Sequence, residues 1–257
     1  GEYTARMIEK PIAIGYSPGD VLQESTLEKQ YFSESAQISA AEEEADFAVT
    51  QGDETIEIEP IEGNQTVQEL YDFRLPDKYD NQADNDALNG ATYGSGPSFE
   101  SVGTEDLQQQ DTTIMFLYEG PNGLSFVTVH DKAGGSGGSV TWTISDMPES
   151  GDWVVKDDLY LNADGTKASS NYDNWDVDSE PQTIDWTWGG GGTDGGAFSP
   201  LPEDFSFTID PAFNEESALY EQYYNGDITD WQVLSGNMSN PDRTSLNLDQ
   251  NVEVAAQ

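Results

Sequence analysis

Aspartates gathered in short, turn-rich segments are the residues of this chain best placed to do chemistry. Asp152, Asp157 and Asp158 bracket the apolar segment WVV at 153–155, Asp164 sits in the turn NADG at 162–165, and Asp194 lies in TDGG after Trp186 and Trp188. Calcium takes six to eight oxygens from carboxylates, amides and carbonyls, which such segments supply. Asp157, Asp158, Asp164 and Asp194 are therefore the candidate metal ligands, and calcium is the cofactor they suit. The full pattern D-x-[DN]-x-[DN]-G-x5-E is missing, so the segments do not form an EF-hand. Solvated acidic loops are the competing reading of the same residues.

His130 is the only histidine and stands at the end of an apolar run, before Asp131 and the loop KAGGSGG at 132–138. It is the sole imidazole that could serve a Ser-His-Asp triad. No G-x-S-x-G elbow accompanies it, so a structural role is expected. The tracts GGSGG at 134–138 and GGGG at 189–192 lack the Lys-Ser/Thr that completes a phosphate loop. Paired carboxylates of the kind used in glycoside hydrolysis carry no signal among 50 acidic residues, because chance pairs abound. The chain reads as a non-enzyme.

Charge narrows the partners. The 257 residues hold 50 Asp+Glu against 9 Lys+Arg, a formal net charge of -41, with 11% aromatic residues. A disordered acidic chain would lack that aromatic bulk. The balance points to a folded protein whose self-repulsion is screened by salt: at about 1 M the Debye length is roughly 3 Å. Nucleic acid is a poor partner and anionic membrane surfaces are disfavoured, since both need clustered Lys/Arg. No apolar run reaches the ~20 residues of a membrane-spanning helix. The absence of cysteine removes disulfides, thiolate metal sites and cysteine nucleophiles. The sequons at Asn64 and Asn237, together with a first residue that is Gly rather than Met, point to export, and so to an extracellular or cell-surface location.

The elements that must position these residues are strands. In SVTWTIS (139–145) and TIDWTWG (183–189) the alternation sets Trp142, Trp186 and Trp188 inward, with Thr141, Asp185 and Thr187 outward. Further strands are expected at 112–119, 124–131, 153–158, 205–210 and 228–236, and as a single run at 244–254. The tracts at 134–138 and 189–192 read as tight turns. Before residue 112 the spacing predicts a helix over 33–49, a strand over 54–62, and one or two helical turns over 66–73. A second short helix is expected over 214–224. The expected fold is an all-β antiparallel sandwich with Greek-key or jelly-roll-like connections, a closed barrel being the alternative. Residues 1–76 would form an N-terminal extension, 77–111 a polar irregular loop and 112–257 the sandwich core.

The run WTWGGGGTDGGAF (186–198), with VTVHD (127–131) and ITDWQVLSG (228–236), resembles a segment recurrent in secreted, acidic β-sandwich proteins of extremely halophilic archaea. The resemblance spans roughly residues 112–254 and implies a surface or extracellular location and adaptation to salt.

Three kinds of function fit these features. The first is a structural subunit of an extracellular filament, pilus-like or surface assembly in which copies of the chain pair head to tail by strand exchange. Its donor would be PIAIGY (11–16), through Ile12 and Ile14, or ETIEIEPIE (54–62), through Ile56 and Ile58. The second is a secreted module that binds carbohydrate or cell-surface glycans. The third is a capsid or spike component of a virus. A secreted hydrolase is disfavoured by the single histidine and the missing nucleophile motifs.

Overall fold

Alternating apolar residues with β-branched and aromatic side chains make strands here, and two apolar faces bring the strands together. The computed structural model describes residues 46–76, 92–94, 99–159, 173–215 and 226–257. Ile12, Ile14, Asp164, residues 33–45 and most of the expected 214–224 helix lie outside them. Ala45–Gln257 form one unit.

In chain order the strands are β1 (Phe47–Gln51), β2 (Glu54–Ile58), β3 (Ile61–Glu62), β4 (Phe73–Pro76), β5 (Thr92–Gly94), β6 (Glu100–Ser101), β7 (Thr112–Gly120), β8 (Gly123–His130) and β9 (Gly137–Ser145). They continue as β10 (Asp152–Lys156), β11 (Asn174–Asp176), β12 (Gln182–Gly189), β13 (Asp194–Ser199), β14 (Ser206–Phe213), β15 (Asp230–Ser235), β16 (Asp242–Leu246) and β17 (Val252–Ala256). The one helix among the described residues, α1 (Val67–Tyr71), falls between β3 and β4. It is set by a capping box: the Thr66 hydroxyl accepts from the Glu69 amide, and Glu69 accepts from the Thr66 amide.

Two seven-stranded sheets form the sandwich. The first is wholly antiparallel, in the order β11-β12-β9-β14-β17-β1-β2. The second runs β10-β13-β8-β7-β15-β16, with β3 also pairing β7; both β15 and β3 lie parallel to β7. A small third sheet, β5-β4-β6, accompanies α1. The chain is thus all-β, as expected, and no helix among the described residues is long and apolar enough to cross a membrane.

The second sheet is buried on both sides, which explains why TTIMFLYE and LSFVTVHD read as continuous apolar runs. Met115, Leu117 and Phe126 face the first sheet and join the main core with Trp142, Trp186, Trp188, Phe207 and Val254. Ile114, Phe116, Val127 and Val129 face the other way, against Val67, Leu70, Tyr71 and Phe73. Residues 46–76, read from sequence as part of an extension, therefore supply strands to both main sheets and a lid over the second.

Several expected elements differ. The helix expected over 33–49 does not include Phe47–Val49, which belong to β1 because they pair with both β2 and β17. The single strand expected at 244–254 is two: β16 joins the second sheet and β17 the first, with Asn247 to Asn251 turning between them. Leu246, Leu248, Val252 and Val254 nevertheless share one core. The turn expected within 189–192 is present at 190–191, and an unexpected strand, β13, follows it between β10 and β8. Trp142, Trp186 and Trp188 point inward as expected. Asp185 and Thr187 do not reach solvent, however. Asp185 accepts from the Thr141 hydroxyl on the neighbouring strand, and the Thr187 amide donates to Asp173.

Candidate functional site

The ionisable groups of most interest gather where β10 ends, β13 begins and β11 pairs β12. Asp157 and Asp158 follow β10, Asp173 precedes β11, and Asp194 begins β13; all four are buried. Strand pairing does the gathering. Lys156 pairs Gly196, which sets the next residue, Asp157, beside Gly195, and the Asp157 amide donates to the Gly195 carbonyl at 3.3 Å. Trp175 pairs Ile184 in β12, so Asp173 reaches the Thr187 amide at 3.0 Å.

A glycine is required at the centre. Gly195 has φ +144°, and a Cβ there would overlap the Thr128 carbonyl oxygen and stand 3.0 Å from the Tyr71 hydroxyl. The Trp186 indole donates to the Gly195 carbonyl at 3.1 Å, and the Trp175 indole to the Asp157 carbonyl at 3.2 Å.

Each of three carboxylates has one oxygen served and one left over. Asp157 Oδ2 accepts from the Tyr71 hydroxyl at 2.7 Å, Asp173 Oδ1 from the Thr187 amide, and Asp194 Oδ1 from the Gly195 amide at 2.8 Å. Asp157 Oδ1, Asp173 Oδ2, Asp194 Oδ2 and the Thr187 hydroxyl are buried without a partner. Asp131 provides the contrast. It is equally buried, yet one of its oxygens accepts from the Asp111 and Lys132 amides and the other from the Trp188 indole.

Burial, and behind it the repulsion of neighbouring carboxylates, pushes Asp157, Asp173 and Asp194 well above the usual carboxylate range. Asp158 repels all three. The Asp173 and Asp194 carboxyls stand close enough to hydrogen-bond when a proton lies between them. Burial, then Asp157, raises Tyr71 in turn. As the side chains stand, no three His, Asp or Glu groups among the described residues form a coordination shell. Chemically, the cluster must take up positive charge, as protons or as a cation drawn in among the carboxylates.

Of the sequence-derived candidates, Asp157, Asp158 and Asp194 are brought together, and Asp164 lies outside the described residues. Asp173 was missed. Its only clue is Trp175 two residues on, an inward-facing aromatic that marks an edge strand. His130 is boxed in by Trp142, Trp186 and Trp188, with ring centroids 4.6–5.5 Å away. Burial lowers its pKa to about 3, and its Nδ1 meets the Thr113 hydroxyl at 2.8 Å. A neutral, sealed imidazole is a core residue here. Ile58 is buried and Ile56 half-buried in β2, which pairs β1 of its own chain. Asn64 and Asn237 are both exposed.

A second feature lies at the end of the sandwich where the described chain begins. A pocket of about 480 Å³ is lined by Phe47, Leu124 and Leu201 together with Asp46, Glu119 and Glu203. No protein family, curated protein or solved structure matches this chain.

Proposed function

We propose that the chain is a non-catalytic structural subunit of an extracellular or surface assembly in a high-salt setting, joined head to tail to copies of itself. One observation carries this reading: the lone histidine and the acidic cluster are sealed inside, and what opens outward is a recess suited to a peptide. His130, Tyr71, Asp157, Asp173 and Asp194 are all buried, out of reach of any external substrate. The pocket at the end of the sandwich has an apolar floor and an acidic rim. The segment KPIAIGY at 10–16 has the complementary character, a lysine followed by apolar residues. The chain between Tyr16 and Asp46 is long enough, at ~3.3 Å per extended residue, to reach a neighbouring copy. With ETIEI already paired to β1 in its own sheet, PIAIGY is the better donor of the two. A contact of this kind is heterologous, and repeats into a ring or an open filament.

The test is electron microscopy of the full chain in multimolar salt beside a chain lacking residues 1–18 and the variant Glu203→Lys. Rings or filaments from the full chain alone support the reading. A full chain that is monomeric in high salt, or a truncated chain that assembles identically, overturns it.

A further inference from the structure

We infer that the buried carboxylates of Asp157, Asp173 and Asp194 enclose a divalent cation of the calcium class, which ties β10, β12 and β13 together. Orphaned atoms carry the argument. Asp157 Oδ1 and the Thr187 hydroxyl are buried polar atoms with no partner in the protein, and Asp173 Oδ2 and Asp194 Oδ2 have none unless the two carboxyls share a proton. Native structures rarely leave such atoms unserved, and several in one neighbourhood point to something bound among them. Asp131 shows that this fold serves a buried carboxylate completely where the carboxylate is only structural. The unserved oxygens, in contrast, all sit where acids crowd one another.

The donor set selects the cation. Carboxylate and hydroxyl oxygens are hard donors, which suit calcium or magnesium rather than zinc or copper. Magnesium keeps several of its waters in near-ideal octahedral geometry, whereas calcium accepts an irregular all-protein shell. A site sealed from solvent favours calcium. The neighbouring carboxyls of Asp173 and Asp194 form the seat of the cation. Asp157 lies on the Tyr71 side, and closing a shell requires the carboxylates to turn toward the ion from their present placement.

The experiment uses the full chain in multimolar potassium chloride, so that the surface acids stay screened while a chelator strips calcium. Calcium is then added back, with binding followed by equilibrium dialysis and stability by thermal melting. Expected are one tight site per chain and a melting midpoint raised by about 5–10 °C at about a hundred times the dissociation constant. Asp173→Asn and Asp194→Asn should weaken binding at least tenfold. They should also melt no lower than the chelated parent, because each removes a repelling buried carboxyl. Terbium(III), a hard cation of similar size, supplies a second readout on the unaltered chain: bound at this site it lies near Trp175 and Trp186 and should luminesce when they are excited. That readout keeps the test decisive where a variant fails to fold. Weak multiple binding with no change in melting, meaning surface cations only, overturns the inference. So does a chelated chain with the same midpoint and no sensitised terbium.

Discussion

The Tyr71 hydroxyl donates to Asp157 Oδ2 across 2.7 Å of fully buried space. That bond joins α1, in a stretch that reads from sequence as an appendage, to the acidic cluster at the end of β10. Leaving a buried acceptor unserved costs about 1–3 kcal/mol. Tyr71→Phe should therefore lower the melting midpoint by roughly 3–10 °C for a unit of this size. Tyr118→Phe, which removes a bond to the Gln65 carbonyl from a partly buried site, should cost less. Differential scanning calorimetry of both variants decides the order.

Trp186 is the keystone of the main core, with Trp142 at 5.3 Å, Trp175 at 5.6 Å and its indole bonded to Gly195. Truncating such a residue to Ala costs about 3–5 kcal/mol. Trp186→Ala should lose most of its cooperative melting transition, while Thr143→Ala on the other face of the paired strand should melt close to the parent. An unmoved midpoint in Trp186→Ala would mean that the strand register is wrong.

Stability should fall with rising pH in the chelated chain. Burial first, and neighbouring carboxylates second, raise the folded-state pKa of Asp157, Asp173 and Asp194. The folded chain thus holds protons that the unfolded chain has released. The stabilisation is fully present below the ordinary carboxylate pKa of about 4 and is lost as pH climbs through the raised folded values. Each proton so held contributes a slope of roughly 1.4 kcal/mol per pH unit. Melting between about pH 5 and 8 should show this fall without calcium and a much flatter profile with it. A chelated chain that gains stability across that range contradicts the assignment.

The formal charge of -41 sets a salt dependence of its own. Transfer from multimolar salt to about 10 mM, where the Debye length is roughly 30 Å, should lower the melting midpoint or unfold the chain at 25 °C. Near-UV dichroism unchanged across that range would remove the case for a high-salt protein.

The strands that could be read from sequence are those whose side chains alternate, as in SVTWTIS and TIDWTWG. β13 was hidden because DGGAFS carries two glycines where strand-forming residues are expected. Gly195 cannot be anything larger, since a Cβ would overlap the Thr128 carbonyl. The signal that makes the segment look like a turn is the one that lets the strand pack. Phe47–Val49 followed a stretch of helical spacing, and only pairing with β17, some two hundred residues away in the chain, makes them strand. Asp157 and Asp158 could be named because they adjoin a legible strand, and Asp194 because it follows Trp186 and Trp188 in a turn-rich segment. Asp173 could not, being one carboxylate among 50 until Trp175 pairs with Ile184 and carries it in.

The central claim is that a cation stands where the buried carboxyls would otherwise hold protons. The direct measurement is proton release when calcium is added to the chelated, folded chain near neutral pH, in weakly buffered multimolar salt. The account predicts release of protons as calcium binds, since the ligands must ionise. It further predicts that the count falls in Asp173→Asn and Asp194→Asn. Saturation with calcium that releases no protons would contradict it.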